Sequence, residues 1–298
     1  MTASTHATFV RAAPAIFVFL WSTGYVGGRF AIPYSDPLTF TSIRFAIVIA
    51  LLAMIVIIGR RQIPLSMSMW GHLAVTGILI HAGFVGGVFI AIDLGVNISI
   101  AALIAGTQPL LTAIVVIPLL GETLTQRQWV GFVVGFLGLA MVVLKTMEIG
   151  ALPLAGFAGC VVGLCGITFG SLYQKRYVVG IDLIAGSVIQ FSAALIPCVL
   201  WAFLVETRTI EWNMQVILTL LWMCLGLSIG AISILLFLIR EGAASRVSSL
   251  FYLVPPVTAV QGYWLFGEKL SALQIVGMGM AALGVALINS NYNAEKES

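Results

Sequence analysis

The side chains of this sequence that can carry charge or protons are few, and their placement already narrows the chemistry. Eleven carboxylates, Asp36, Asp93, Glu122, Glu148, Asp182, Glu206, Glu211, Glu241, Glu268, Glu295 and Glu297, fall at the ends of apolar runs, in polar links or in the tail. None falls in the middle of an apolar run. A pump that trades a lipophilic cation for protons couples the two charges through an ionisable group at mid-membrane, so that class is disfavoured. His81 sits at the centre of the third apolar run, and its side chain ordinarily titrates near neutrality. It suits proton uptake or recognition of a substrate carboxylate; the structural alternative is a neutral packing imidazole. Arg44, about one and a half turns inside the second run, either snorkels or pairs with Asp36 or a carbonyl, as a structural or gating residue, or recognises an anion.

Uncharged polar and aromatic side chains recur inside the runs: Trp21, Ser22 and Tyr25; Thr107 and Gln108; Phe169 and Tyr173; Tyr252, Thr258 and Gln261. Such a mixture suits a small zwitterionic or neutral solute with an apolar side chain. Trp70, Trp129, Trp201 and Trp264 lie nearer the run ends, where aromatics anchor a helix at the lipid interface.

The elements that must position these residues follow from composition. Apolar residues make up 60% of the 298 and charged residues 8%, against about 25% charged in a soluble domain; mean hydropathy is +1.11. An integral membrane protein is expected. A bilayer pass takes about 20 apolar residues, and ten stretches fit: 10–31, 38–58, 70–92, 98–119, 127–146, 153–174, 183–204, 214–238, 245–266 and 271–290. Their length favours helices over the alternating strands of an outer-membrane barrel. The first stretch reads as a retained helix and not a cleaved signal. Cys160, Cys165, Cys198 and Cys224 all fall within spans and read as packing residues. The net charge of +3 is spread without a basic run, so no nucleic-acid partner is expected. No cofactor or metal is expected either.

The sequence repeats at a shift of 146 residues. Ile98 to Leu144 lies over Ala244 to Ser290 without gaps, matching 14 positions of 47, among them Pro109/Pro255, Gly121-Glu122/Gly267-Glu268 and Gln128/Gln274. The same shift lays Asp36 on Asp182 and Phe45 on Phe191. Each unit, 10–146 and 151–290, then holds five spans. An odd number puts the second copy in from the opposite side, an inverted repeat suited to a transporter. With the N-terminus inside, nine basic residues (Arg11, Arg60, Arg61, Arg127, Lys175, Arg176, Arg240, Arg246, Lys296) face four outside (Arg29, Lys145, Arg208, Lys269), which predicts both termini in the cytoplasm.

Local signals mark the helix ends and bends. Thr125 with Gln128 and Ser271 with Gln274 form capping boxes that start the fifth and tenth helices, with Glu122 and Glu268 beside them as structural residues, or as a gate or proton site. Glycines at three- and four-residue spacings, Gly156, Gly159, Gly163, Gly166 and Gly170 in the sixth helix above all, let backbones approach where lipid supplies no hydrophobic drive. Pro109 and Pro255 fall near the middle of the fourth and ninth helices and Pro197 in the seventh; each removes a backbone bond and bends its helix. Pro109 and Pro255, with Arg44, are the hinge and gate candidates.

Leu20-Trp21-Ser22-Thr23-Gly24, Arg44-Phe45, the two central prolines, the Gly-Glu-x-Leu turns and the Gln-x-x-Gly motifs after them resemble the drug/metabolite transporter superfamily of the EamA type, over about 10–290. Within it the chain is similar to bacterial inner-membrane exporters of aromatic amino acids. The resemblance implies ten helices in two inverted repeats around a central cavity, no enzymatic activity, and a small-molecule substrate. The second copy departs at Gly166-Ile167-Thr168-Phe169, which puts symmetric substrate contacts in doubt. The expectation is an all-α membrane protein, a monomer in the lipid bilayer, exporting small metabolites, amino acids foremost, by alternating access. No phosphate-binding G-x-x-x-x-G-K-[ST] loop is present, so direct ATP drive is not expected; the lack of a mid-membrane carboxylate points to uniport, with proton coupling through His81 as the alternative. A membrane-embedded enzyme is the rival class, disfavoured because His81 has no sequence-evident partner and Ser171 lacks a nucleophile-elbow setting.

Overall fold

A computed structural model describes residues 3–63, 66–108, 110–112, 115, 125–148, 153–231, 234 and 250–289. These residues are helical, apart from links and one isolated antiparallel bridge between Ser35 and Ile210. In chain order the helices are α1 (Ala3–Ala31), α2 (Pro37–Ile58), α3 (Met67–Asp93), α4 (Ile98–Gly106), α5 (Gln126–Glu148), α6 (Leu154–Tyr177), α7 (Leu183–Leu204), α8 (Met214–Ala231), α9 (Val254–Phe266) and α10 (Ala272–Asn289). Among the described residues six are long and apolar enough to cross a membrane: most of α1 with the short turn after it, α2, α3, α6, α7 and α8.

Helix starts are fixed by neighbours that satisfy the first, otherwise unpartnered, amides. α2 and α7 begin 146 residues apart and end 146 residues apart, yet their starts are built differently. Asp182 caps α7 directly, accepting from the Ile184 and Ala185 amides at 2.9 and 3.0 Å. Asp36 precedes α2 but turns to Thr207 and Thr209; the α2 amides of Leu38 and Thr39 donate instead to Glu206, both at 2.8 Å. Both expected capping boxes form: the Thr125 and Ser271 amides donate to Gln128 and Gln274 at 2.8 Å, and the hydroxyls accept in return at 3.3 Å.

α3 and α8 depart from regular α-helix at corresponding places. α3 passes through a π-helical stretch, Ile78–Gly86, and α8 through Met223–Ala231. A π stretch widens the turn and often marks a functional site; here it carries His81.

The expected bend at Pro255 takes a different form from a mid-helix kink. Phe251–Leu253 is a 3-10 turn, and α9 starts at Val254 with Pro255 in its first turn. The missing proline donor costs least there, because first-turn amides have no intrahelical partner. α4 ends in a turn at Thr107; Pro109, two residues on, lies outside the described residues. α9 ends at Gly267, whose φ of +67° is the left-handed conformation that favours glycine.

The chain forms two compact units, each drawing on both sequence repeats. One comprises Met1–Gly27, Val96–Pro153 and Leu225–Ser298; the other comprises Gly28–Gly95 and Leu154–Cys224. In the first, α5 packs along α10 and α4 against α9. The α5–α10 contact is glycine on glycine: a Cβ at Gly138 would stand 2.5 Å from the Gly277 carbonyl, and one at Gly277 would stand 2.7 Å from the Gly138 carbonyl. In the second unit α2 packs on α7, and α3 on α6 and α7. The α6 glycines meet the α3 backbone: a Cβ at Gly166 would lie 2.6 Å from the Leu79 carbonyl, and one at Gly159 would lie 2.8 Å from the Gly87 carbonyl. Close backbone approach of this kind is how helices bind each other in lipid.

Candidate functional site

In the second unit, the crossing of α2 and α7 brings repeat-equivalent residues face to face. The Phe45 and Phe191 rings meet edge to face with centroids 5.2 Å apart. Into this contact α3 delivers His81, whose imidazole stacks on Phe191 at 3.9 Å and 17° and meets the edge of Phe45 at 6.1 Å. Gln190 and Arg44, the residues just before Phe191 and Phe45, are both buried. Arg44 is 5% exposed, its guanidinium 6.0 Å from the Phe45 ring centroid, and its carbonyl accepts from the Cys224 thiol at 3.8 Å. It is buried where snorkelling was one expectation.

Gly77 makes this arrangement possible. A Cβ there would lie 2.6 Å from both the carbonyl carbon and the Cα of Gln190, so α3 can lie against α7 only with hydrogen at this position. One turn further along, that closeness places His81 on Phe191. A cation and an imidazole among aromatic rings inside membrane-length helices are costly to keep. The arrangement sets a cation and an imidazole beside apolar rings within the second unit.

A second aromatic group in this unit was not legible in the sequence. Tyr173 shares a 2.9 Å hydrogen bond with His72 Nδ1, and Tyr177 stacks on the His72 ring at 4.9 Å and 7°. Tyr173 is therefore joined to His72, near the start of α3, and not to His81. Phe169 is exposed on α6. Beyond the cluster, Asp182 bonds Arg61 at 2.9 Å. Burial alone raises its carboxyl, but the Ala185 amide, the Arg61 guanidinium and the Ile184 amide outweigh that and hold it below the usual 3.8.

The remaining candidates lie in the first unit, each described within it. Trp21 packs against Phe17 and meets Phe251 edge-on at 5.1 Å. Ser22 is fully buried and donates to the Val18 carbonyl at 2.8 Å, with the Val254 carbonyl at 3.5 Å, at the break before α9. Tyr25 is buried, and Thr107 is buried and donates to the Ile104 carbonyl at 2.6 Å; Gln108 is half-buried. Gln261 Oε1 and, one turn earlier, Thr258 Oγ1 are buried with no hydrogen-bond partner among the described residues. The Tyr252 side chain lies outside the described residues. The two breaks meet: a Cβ at Gly106 would stand 2.8 Å from Pro255 Cγ, and a cavity of about 20 Å³, roughly one water, lies among Leu103, Thr107, Pro255 and Met278. Glu268 is a capping carboxylate, accepting from the Ile98 amide at 2.9 Å and the Ser99 hydroxyl at 2.7 Å; Glu122 lies outside the described residues. Among the described residues no three His, Cys, Asp or Glu side chains are placed to hold a metal.

Apolar helices of membrane length and glycine-mediated packing define a helical membrane protein. The chain belongs to the EamA-like transporter family, whose model matches it twice, over residues 13–144 and 154–290. It is 27% identical over 274 residues to the uncharacterized inner membrane transporter YedA of Escherichia coli (strain K12), covering 90% of this chain and 87% of that one. It is 22% identical over 281 residues to the probable amino-acid metabolite efflux pump of Salmonella typhimurium, covering 91% of each. A solved crystal structure superposes with a TM-score of 0.62 over 98% of this chain and 99% of that chain at 18% identity, a likeness of fold alone.

Proposed function

We propose that the chain exports small metabolites, foremost amino acids with aromatic or other apolar side chains, across a bacterial inner membrane. The observation that carries this reading is the placing of Arg44 and His81 beside the Phe45 and Phe191 rings within membrane-length helices. Charge and apolar surface side by side suit a solute that combines the two. The similarity to an amino-acid metabolite efflux pump supports the same solute class.

In this reading the chain has ten spans in two inverted five-helix repeats, 10–146 and 151–290, with both termini cytoplasmic. Trp21, Ser22, Tyr25, His81, Thr107, Gln108, Phe169, Tyr173, Tyr252 and Gln261 are its candidate solute contacts, and Pro109 and Pro255 are its hinge candidates as access alternates. Transport runs down the solute gradient as uniport. Counterflow from proteoliposomes against amino acids, nucleosides, sugars and cationic dyes tests the reading. Exchange of apolar amino acids is expected; robust dye exchange with no amino-acid exchange overturns it. The place of His81 in the cluster favours one second reading, proton coupling. Acceleration by an imposed pH gradient that His81→Ala abolishes establishes it against uniport.

A further inference from the structure

The charges of the second unit are sorted by end. The close of α2, the start of α3, the close of α6 and the start of α7 meet at one end, where Arg61 bonds Asp182 at 2.9 Å and His72 joins Tyr173 and Tyr177. Four basic residues stand there, Arg60, Arg61, Lys175 and Arg176, all exposed, against one carboxylate, Asp182, already engaged by Arg61. The opposite end, where Asp36 bonds Thr207 and Thr209, carries Asp36, Asp93, Glu206 and Glu211 against Arg29 and Arg208. Apolar surface borders the basic end. Ile57 and Ile58, which close α2, are each 75% exposed, and Val179 and Leu183 are exposed between α6 and α7 and at the start of α7. Tyr177 is exposed too; its ring stacks on His72 and has the Arg176 guanidinium 5.4 Å from its centroid.

We propose that the basic end of this unit binds anionic phospholipid, with Arg60, Arg61, Lys175 and Arg176 taking the headgroup phosphate and the bordering aliphatic surface taking the acyl chains. The site needs residence in a bilayer and is independent of the cargo. Basic residues grouped beside spanning helices attract anionic headgroups, and a guanidinium presents parallel donors that match phosphate oxygens in pairs. A tyrosine suits the headgroup level, because its ring is apolar and its hydroxyl polar. A zwitterionic headgroup brings its own cation, which four basic residues repel, so the site selects lipid of net negative charge. Free phosphate has no chains to lay on the apolar border. The carboxylates in excess at the opposite end repel the same headgroups, which confines the site to one end of the unit.

The test uses the purified full chain in a neutral detergent and four probes: phosphatidylglycerol, cardiolipin, phosphatidylcholine and inorganic phosphate. The two anionic lipids are expected to raise the thermal midpoint at concentrations at least about tenfold below phosphatidylcholine. Inorganic phosphate at the same concentrations should leave it unchanged. Arg60→Gln with Arg176→Gln should weaken the anionic-lipid response about fivefold for each cation removed, with the phosphatidylcholine response unaltered. Arg208→Gln, at the opposite end, should keep the full response. Equal response to phosphatidylglycerol and phosphatidylcholine in the unaltered chain overturns the site, whether or not any variant folds. So does an equal shift from inorganic phosphate, which would mark a site for the free anion, or an undiminished preference in the double variant. An equal loss in Arg208→Gln overturns it as well, since net charge alone would then account for the attraction. If anionic-lipid selectivity holds while liposomes exchange no amino acid, the exporter reading falls and the lipid site stands.

Discussion

Phe45 of α2 and Phe191 of α7 meet with ring centroids 5.2 Å apart and planes at 68°, joining positions 146 residues apart that occupy the same place in the two repeats. The contact makes the duplication physical: both copies contribute the same ring to one junction. Around it the copies have diverged into Arg44 and Gln190, with His81 added from α3. The scaffold of this junction is symmetric and its chemistry is not.

The approach of α3 to α7 depends on Gly77. Gly77→Ala places a methyl 2.6 Å from the Gln190 Cα, so overpacking should cost about 1–3 kcal/mol and lift His81 from Phe191. Gly71→Ala, on the same helix with open space around it, is expected to be neutral or slightly stabilising from helix propensity. Thermal unfolding in detergent compares the two. Equal midpoints would show that α3 does not press on α7 as described.

Glu206 and Glu268 hold the starts of α2 and α4 through backbone amides 167 to 170 residues distant in sequence. Replacing either by Ala leaves those amides without acceptors and should destabilise its unit by about 1–3 kcal/mol. Hydrogen exchange should show the loss concentrated in the first turn of α2 for Glu206→Ala and of α4 for Glu268→Ala. Uniform protection in both variants would refute the capping role.

Asp182 gives a pH dependence with a defined sign. Its carboxyl lies below the usual 3.8 because the Ala185 and Ile184 amides and Arg61 outweigh its burial. A depressed folded value stabilises the ionised form, so the contribution is full above the usual value and is lost as pH falls below it, through the folded value. Asp182→Ala should cost about 1 kcal/mol as a lost cap and remove this acid sensitivity. Arg61→Gln should cost under about 1 kcal/mol, since the pair is largely exposed. Midpoints between pH 3 and pH 6 (roughly one unit below to two above the usual carboxyl value) separate the variants; parallel curves for wild type and Asp182→Ala would contradict the assignment.

The α5–α10 seam predicts a steric contrast. Gly138→Val meets the Gly277 carbonyl and the Ala281 amide at 2.5 and 2.6 Å and should lower folded yield sharply, whereas Gly279→Ala meets nothing within 4 Å. Size-exclusion profiles after detergent extraction measure both. Monodisperse Gly138→Val at wild-type yield would mean the seam is looser than described.

What the sequence determined by itself is local or periodic. Apolar runs of bilayer length predicted the spans, because hydropathy sums along a chain without knowledge of neighbours, and six membrane-length helices stand where runs were read. The capping boxes at Thr125 and Ser271 were legible because their partners lie three residues away. The tertiary structure alone decided what depends on distant approach. Glu268 reads in sequence as a boundary carboxylate of undecided role, and only the packing of α9 against α4 gives it the Ile98 and Ser99 donors. Tyr173 reads as a cavity residue, and the side-by-side course of α3 and α6 joins it to His72. The meeting of His81 with Phe45 and Phe191 spans three helices and two repeats. No spacing encodes it, because it arises where a glycine lets one backbone lie on another.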